Sequence, residues 1–238
     1  MARKFNGLEK VYCDTVGVSA NHGLVNYSKN KDSSQTPYKV MGREFAKLTG
    51  QPINKSRVFE ILVSLDLELY KAERRILVPA DMKFSVLHEV LQRIFDWASY
   101  HLYDFTVLDE RKEVIARLVP FEEDLEYDEE AKLMDEYTLD DFFPKYKKMV
   151  YTYDMGDYWE HEIKLVKTIE EYNGELPYLL EAQGQTPPED VGGVFGFLEF
   201  REIMLDPIHP EHENMKEWAG YWSLDYPEWK NKPRSSHL

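Results

Sequence analysis

Three histidines and two aspartates have the residue types and local surroundings that could support metal or acid–base chemistry. His88 lies in a segment with helical periodicity, His101 begins a segment with strand periodicity, and His161 lies in the second half of a predicted hairpin. Asp154 and Asp157 lie at the turn of that hairpin. Imidazole nitrogens and carboxylate oxygens bind divalent metals and also transfer protons. The first candidate site is therefore a His/Asp set contributed by three elements.

The same residues also fit a structural role. His101 and His161 alternate with polar residues on apolar strand faces, where a histidine commonly packs and hydrogen-bonds to a carbonyl or carboxylate. Asp154 and Asp157 have side chains that favour tight turns without any ligand. The sequence leaves both interpretations open, and it predicts that His161 is buried and hydrogen-bonded.

The hairpin is the element around which the candidate site is organised. Residues before the turn at 154–157 alternate with period two and end at Tyr153. After the turn, Trp159 and His161 fall on the same face as two aliphatic residues. Tyr153 and Trp159 therefore join the candidate set, and Trp159 is expected to anchor the core.

Two later segments contribute secondary candidates. Glu189 and Asp190 lie in a turn-rich loop, residues 186–193, with two prolines and two glycines. His209 and His212 are three residues apart, a spacing that can place two imidazoles on one helical face. Capping and first-turn roles are the alternative for these two histidines.

The remaining pattern predicts the elements that must position these residues. An alternating segment at 57–69 indicates a strand with one buried face, and residues 74–78 indicate a second strand. An apolar stripe at helical spacing follows Asp81, and two further strands are predicted at 101–108 and 114–119. Strands and helices thus mix without a linker, which predicts one α+β domain over residues 56–230. Residues 1–55 are expected to form a basic, loop-rich extension, and residues 231–238 a tail.

Composition narrows the function classes. No apolar run is long enough for a membrane span, the N-terminus lacks a signal-peptide core, and Cys13 is the single cysteine. These features predict a soluble, cytoplasmic protein. Residues 1–55 contain nine basic and four acidic residues, whereas the rest carries 20 basic and 40 acidic ones. Because nucleic-acid affinity depends on basic groups displacing counterions, the acidic main domain is not expected to bind nucleic acid.

Four ordered blocks resemble a known family. Residues 57–222 resemble the plasmid-encoded "open reading frame three-like" domain, named from a rhizobial Ri plasmid, whose relatives are labelled insertion-element passenger proteins of a TnpR type. The resemblance implies a compact α+β domain with a mixed or antiparallel sheet and a link to mobile elements. The first block combines Leu-His-Glu-Val-Leu-Gln at 87–92 with Trp97 and His-Leu-Tyr-Asp-Phe at 101–105. The other three are Tyr-Asp-Met-Gly-Asp-Tyr-Trp-Glu-His at 153–161, Pro-Pro-Glu-Asp-Val-Gly-Gly at 187–193 and Asp-Pro-Ile-His-Pro-Glu-His at 206–212.

Two functions remain open. The first is a non-catalytic binding or interaction module that recognises a protein, peptide or small ligand on an aromatic-rich sheet face, with no cofactor. The alternative is a metal-assisted hydrolytic enzyme that uses the His/Asp set and a divalent metal. No phosphate-binding loop and no nucleophile elbow are present in the sequence.

Overall fold

The computed structural model describes residues 56–126, 128, 130–174 and 176–220. The expected extension at 1–55 and the tail at 231–238 lie outside these residues. Within the described ranges, no helix is both long and apolar enough to cross a bilayer.

The chain folds into an α+β domain built on one sheet. The strands of the described residues are β1 Ser56–Leu67, β2 Tyr70–Pro79, β3 Tyr103–Leu108, β4 Val114–Val119, β5 Ala131–Leu133, β6 Lys148–Tyr153, β7 Trp159–Tyr172 and β8 Tyr178–Gln183. The helices are α1 Phe84–Phe95, α2 Leu139–Phe142, α3 Gly193–Leu205 and α4 His212–Ala219, with 3-10 turns at Glu122–Glu126 and Met134–Glu136.

The sheet is mixed, which is one of the two arrangements, mixed or antiparallel, that the family resemblance implies. Its strand order is β5-β4-β3-β6-β7-β1-β2-β8, and every neighbouring pair is antiparallel except β4 and β5, which are parallel. The predicted hairpin is present as β6 and β7, which pair from Tyr153 opposite Trp159 to Lys148 opposite Lys164. It occupies the centre of the sheet because β3 pairs with the outer side of β6 and β1 with the outer side of β7.

Helix α1 covers one face of this central region. Its buried side includes Phe84, Leu87, Leu91 and Phe95, and the Phe84 ring meets that of Phe105 edge-on with centroids 5.2 Å apart. The opposite sheet face has a smaller core that includes Val58 and Leu77. Burial of large apolar side chains on both faces gives the hydrophobic driving force for the fold, at about 25 cal/mol per Å² of apolar surface.

Two details differ from the sequence prediction. His101 precedes β3 rather than lying on it, because the strand begins at Tyr103. The apolar stripe predicted after Asp81 includes Val86, which is exposed. Helix α1 begins at Phe84, and its buried side includes the polar residues His88 and Gln92. Helical periodicity located the helix correctly, but the tertiary contacts turned two polar residues inward.

Candidate functional site

Strand pairing brings His101 and Asp154 together. Tyr103, the first residue of β3, lies opposite Tyr153, the last residue of β6, in an antiparallel pair. The residues just outside the two strands therefore meet at the same end of the sheet, where the Asp154 backbone N–H donates to the Leu102 carbonyl at 2.9 Å. This register places the loop at residues 96–102 beside the hairpin turn at residues 154–158.

A third loop, residues 184–192, completes the cluster around His101. The imidazole Nε2 lies 3.1 Å from Asp190 Oδ1, 3.4 Å from Asp154 Oδ2 and 3.9 Å from Glu189 Oε2. Nε2 is shielded from solvent, and it makes no hydrogen bond of adequate geometry within the described residues. One imidazole nitrogen therefore faces three carboxylates.

Each carboxylate has one oxygen anchored by the protein and the other directed at His101. Asp154 Oδ1 accepts the Gly156 backbone N–H at 2.8 Å. Asp190 Oδ2 accepts the Tyr100 hydroxyl at 2.7 Å, and Glu189 Oε1 accepts the Ala98 N–H at 2.7 Å. Outer hydrogen bonds of this kind orient the ligands of metal sites. The described part of the chain thus holds the oxygens near His101 in fixed positions.

Tyr153 supports Glu189 from below. The fully buried Tyr153 hydroxyl lies 3.1 Å and 3.3 Å from the two Glu189 oxygens and donates to them. Burial, then the neighbouring Glu189 charge, raises the pKa of Tyr153, so its hydroxyl stays a donor at neutral pH. Burial also raises the pKa of Glu189, although its hydrogen bonds oppose this effect.

The donor atoms have the spacing of a metal site. His101, Asp154 and Asp190 each offer one ligand atom, and these atoms all lie within 4.8 Å of one another. Ligands at 2.0–2.2 Å from one ion are separated by roughly 3.0–3.6 Å. The distances from His101 Nε2 to Asp190 and Asp154, 3.1 and 3.4 Å, fall in that range. The set can therefore hold a divalent cation after a small closure between the two carboxylates.

Asp157 connects two of the three loops rather than joining the cluster. Its Oδ2 accepts the Gly192 N–H at 3.0 Å. Next to it, Gly193 has a φ of +68°, and a Cβ at this position would lie 2.8 Å from the Asp157 carbonyl oxygen. The hairpin turn therefore packs directly on the loop that supplies Glu189 and Asp190.

His161 and Trp159 lie in the core. Trp159 is fully buried, and so is His161, as the sequence predicts. His161 Nδ1 lies 3.2 Å from the Tyr151 carbonyl and 3.1 Å from that of Trp159, which assigns the proton to Nδ1. Burial lowers the pKa of His161 to about 4. His161 is therefore a neutral core residue, and no carboxylate contact is recorded for it among the described residues.

His88 belongs to a second polar group under α1. Its Nδ1 lies 2.7 Å from the Tyr151 hydroxyl, its Nε2 lies 2.8 Å from Ser99 Oγ, and its ring stacks on Tyr103 with centroids 3.5 Å apart. Burial lowers the pKa of His88 to about 4. The expected convergence of three imidazoles beside the aspartates is therefore not observed, since only His101 contacts Asp154.

The two histidines proposed as secondary candidates, His209 and His212, form hydrogen bonds outside the cluster. His209 Nδ1 accepts the Glu211 N–H at 3.1 Å, and His212 Nδ1 donates to the Ile203 carbonyl at 3.0 Å. Both bonds stabilise the connection between α3 and α4, which agrees with the capping alternative for these residues.

Sequence reasoning identified Tyr153 but missed two other groups that anchor the cluster. Tyr100 and the backbone N–H of Ala98 adjoin His101 in the chain, but neither belongs to a recognisable ligand motif. Asp154 and Asp190 have left-handed backbone conformations, with φ of 57° and 58°. Aspartate adopts this region more readily than most residues, although it still costs free energy. A helical or strand pattern carries no signal for such loop conformations.

Residues 57–231, which include the whole cluster, match the family described as "Plasmid pRiA4b ORF-3-like protein". The chain belongs to this family. It is 39% identical over 171 residues to "Uncharacterized protein y4hQ" of Sinorhizobium fredii strain NBRC 101917 / NGR234, covering 71% of this chain and 83% of that protein.

The family fold also has a relative among solved structures. The crystal structure of "Protein of Unknown Function MM3350 from Methanosarcina mazei Go1" is similar to this one, with a TM-score of 0.62 and 28% sequence identity. The match covers 70% of this chain and 92% of that one. The family assignment made from the four sequence blocks is confirmed by the match of residues 57–231 to the family.

Proposed function

We propose that this family member is a cation-dependent binding module that holds a divalent metal on His101, Asp154 and Asp190. The observation that carries the proposal is the paired arrangement of each carboxylate, with one oxygen anchored by a protein donor and the other directed at His101 Nε2. The bond from Gly156 N–H to Asp154 also stabilises the turn, but an anchored oxygen that leaves its partner oxygen facing an imidazole is what a ligand set requires. This proposal keeps the binding-module interpretation of the sequence but adds a divalent metal, which was predicted from the sequence only for the enzyme alternative.

The charge of the site and the types of its ligand atoms indicate which ion it would bind. Asp154, Glu189 and Asp190 offer three carboxylates against one imidazole, so an unpaired excess of negative charge attracts a cation. A nitrogen ligand favours Zn²⁺ or Mn²⁺ over Mg²⁺ and Ca²⁺, which prefer oxygen alone. We therefore expect Zn²⁺ or Mn²⁺ on the three protein ligands. Glu189 would lie beside the ion, and at least one coordination position would stay open.

Exposed apolar side chains support a role in binding. The three site loops and the start of α3 expose Tyr100, Leu102, Tyr158 and Phe195, the last with 77% of its surface accessible. Exposed apolar groups beside polar ones commonly mark interaction sites. A ligand that coordinates the metal would contact these side chains with its apolar parts.

Metal-assisted hydrolysis is the second candidate, and Glu189 favours it. Its carboxylate lies 3.9 Å from His101 Nε2 and has a pKa raised by burial, which suits a general base for a metal-bound water. In that case Glu189→Gln would retain metal binding and abolish turnover of uncharged ester substrates.

The test is a metal titration of protein purified without an affinity tag and stripped with a chelator. Calorimetric titration with ZnCl₂, MnCl₂ and MgCl₂ should show one ion per chain, with Mg²⁺ the weakest. His101→Gln and Asp190→Asn should each weaken binding by at least about tenfold. His209→Gln, a matched histidine outside the cluster, should bind like the parent. Absence of binding, or equal binding in all variants, would refute the metal site and show that the cluster is an ordinary imidazole–carboxylate salt bridge.

A further inference from the structure

An exposed serine is joined to a buried chain of hydrogen bonds. Ser99 lies in the same loop as His101, and its Oγ is 2.8 Å from His88 Nε2. The chain continues from His88 Nδ1 to the Tyr151 hydroxyl at 2.7 Å and from there to Gln92 Nε2 at 2.9 Å. His88, Gln92 and Tyr151 are all at least 97% buried, whereas Ser99 is exposed.

The direction of every hydrogen bond in this chain follows from Gln92. Its Oε1 accepts the Ser99 backbone N–H at 2.9 Å, so its amide nitrogen must be the atom that donates to the Tyr151 hydroxyl. Tyr151 therefore accepts from Gln92 and has one proton to donate. Within the described residues its only other partner is His88 Nδ1, and the buried Tyr151 proton is paired only if this nitrogen accepts it. The proton of the neutral His88 ring then lies on Nε2 and is donated to Ser99 Oγ.

This direction excludes the role that a Ser–His contact usually suggests. A nucleophilic serine donates its proton to an unprotonated imidazole nitrogen, whereas Ser99 accepts one here. Its own hydroxyl proton has no acceptor in the described part of the chain. Successive hydrogen bonds polarise one another, so the chain strengthens Ser99 as an outward donor.

We propose that Ser99 is a ligand-binding residue whose hydroxyl donates to a neutral carbonyl oxygen held beside the cation site. Ser99 lies between Ala98, whose N–H binds Glu189, and Tyr100, whose N–H lies 3.4 Å from the Tyr153 hydroxyl and whose own hydroxyl binds Asp190. The donor is thus built into the loop that supplies His101.

The surroundings select the class of ligand. Three carboxylates around one divalent ion leave a net negative charge, which disfavours a phosphate or carboxylate ligand. The exposed Tyr100, Leu102 and Tyr158 favour a molecule with apolar parts. An amide with an apolar side chain, such as a segment of peptide, satisfies both conditions. This choice of ligand rests on the proposed cation site, whereas the direction of the hydrogen-bond chain does not.

The hydrogen-bond chain is tested first, in metal-free protein, by long-range ¹H–¹⁵N correlation of the histidine rings at neutral pH. His88 should be protonated at Nε2. His161, whose Nδ1 faces two carbonyls, should show the opposite tautomer and serves as the control in the same spectrum. A His88 ring protonated at Nδ1 would overturn the proposal, as would covalent labelling of Ser99 by a fluorophosphonate.

The ligand is tested with N-acetyl-leucine amide, titrated into zinc-loaded protein and followed by amide chemical shifts. The Ser99 and Tyr100 signals should move and saturate, and Ser99→Ala should weaken binding about tenfold. Ser99→Gly removes the same hydroxyl and tolerates the positive φ of 59° at this position, so it should show the same loss. Ser85→Ala, a serine on α1 that bonds to Asp135, is the matched control.

Equal affinity in the Ser99 variants, or unmoved Ser99 signals, would refute the ligand-binding role. The same titration without zinc separates this result from failure of the cation site. Amide binding that depends on Ser99 in a protein that takes up no metal would refute the metal site alone.

Discussion

The imidazole of His101 and the carboxylate of Asp190 meet at 3.1 Å although they belong to loops that are 89 residues apart in the sequence. Both residues contact Tyr100, which adjoins His101 and donates its hydroxyl to the other oxygen of Asp190 at 2.7 Å. The contact therefore has a fixed geometry on both sides. It is the point at which the hypothesis of a metal site can be tested most directly.

The first prediction is that the Tyr153 hydroxyl strengthens cation binding through its hydrogen bonds to Glu189. Tyr153→Phe removes the hydroxyl that donates to Glu189, so we expect Zn²⁺ or Mn²⁺ affinity to fall by about tenfold or more. The measurement is calorimetric titration of the variant. Tyr103→Phe is a matched control, because Tyr103 lies opposite Tyr153 in the sheet and its hydroxyl has no hydrogen-bond partner in the described ranges. Equal losses in both variants would contradict the role of Tyr153.

The second prediction is that the close packing of Gly193 on the hairpin turn stabilises the fold. Gly193→Ala would place a Cβ 2.8 Å from the Asp157 carbonyl oxygen at a φ of +68°. The free energy of unfolding, measured with denaturant, should therefore fall by about 2–4 kcal/mol. Gly192→Ala has a comparable positive φ of +92°, but its Cβ would lie 3.7 Å from the nearest atom outside its chain neighbours. The difference in the free energy of unfolding between the two variants measures the effect of the contact with Asp157. A difference near zero would show that the turn moves to accommodate the new Cβ.

Acid sensitivity caused by His161 is the third. Its pKa of about 4 in the folded protein lies below the ordinary value of 6.5. The unfolded chain therefore binds the proton first as pH falls, and stability decreases between about pH 6.5 and pH 4. One buried histidine with this shift contributes about 3 kcal/mol across the window. The free energy of unfolding of His161→Gln should depend less steeply on pH than that of the parent, and an unchanged slope would refute this origin.

The core role of Trp159 is the fourth. Truncation of this fully buried side chain in Trp159→Ala should cost about 3–5 kcal/mol in denaturant unfolding. Its indole N–H has no hydrogen-bond partner among the described residues, so Trp159→Phe removes an unsatisfied donor together with less volume. We expect the phenylalanine variant to lose clearly less stability than the alanine variant. Melting of Trp159→Ala within a degree of the parent would mean that the inward face is assigned wrongly.

The hydrophobic pattern by itself determined the elements and much of the core. Period-two alternation defined the hairpin that became β6 and β7, and it placed Trp159 and His161 on the buried face. Helical spacing located α1 and therefore His88. Such patterns are readable because burial of one face is a local property that recurs at every second or every third to fourth residue. The four sequence blocks were also sufficient for the family.

Tertiary structure alone decided which of the candidate residues meet. The pairing of Tyr103 with Tyr153 brings His101 to Asp154, and packing of Gly193 on Asp157 brings in Glu189 and Asp190. The same packing separates His88 and His161 from the aspartates and gives each its own hydrogen bonds. These outcomes depend on strand register and on left-handed loop residues such as Asp154 and Asp190, which leave no periodic signal in the sequence. A cluster of side chains drawn from three loops is therefore fixed by contacts between distant segments, which no local pattern encodes.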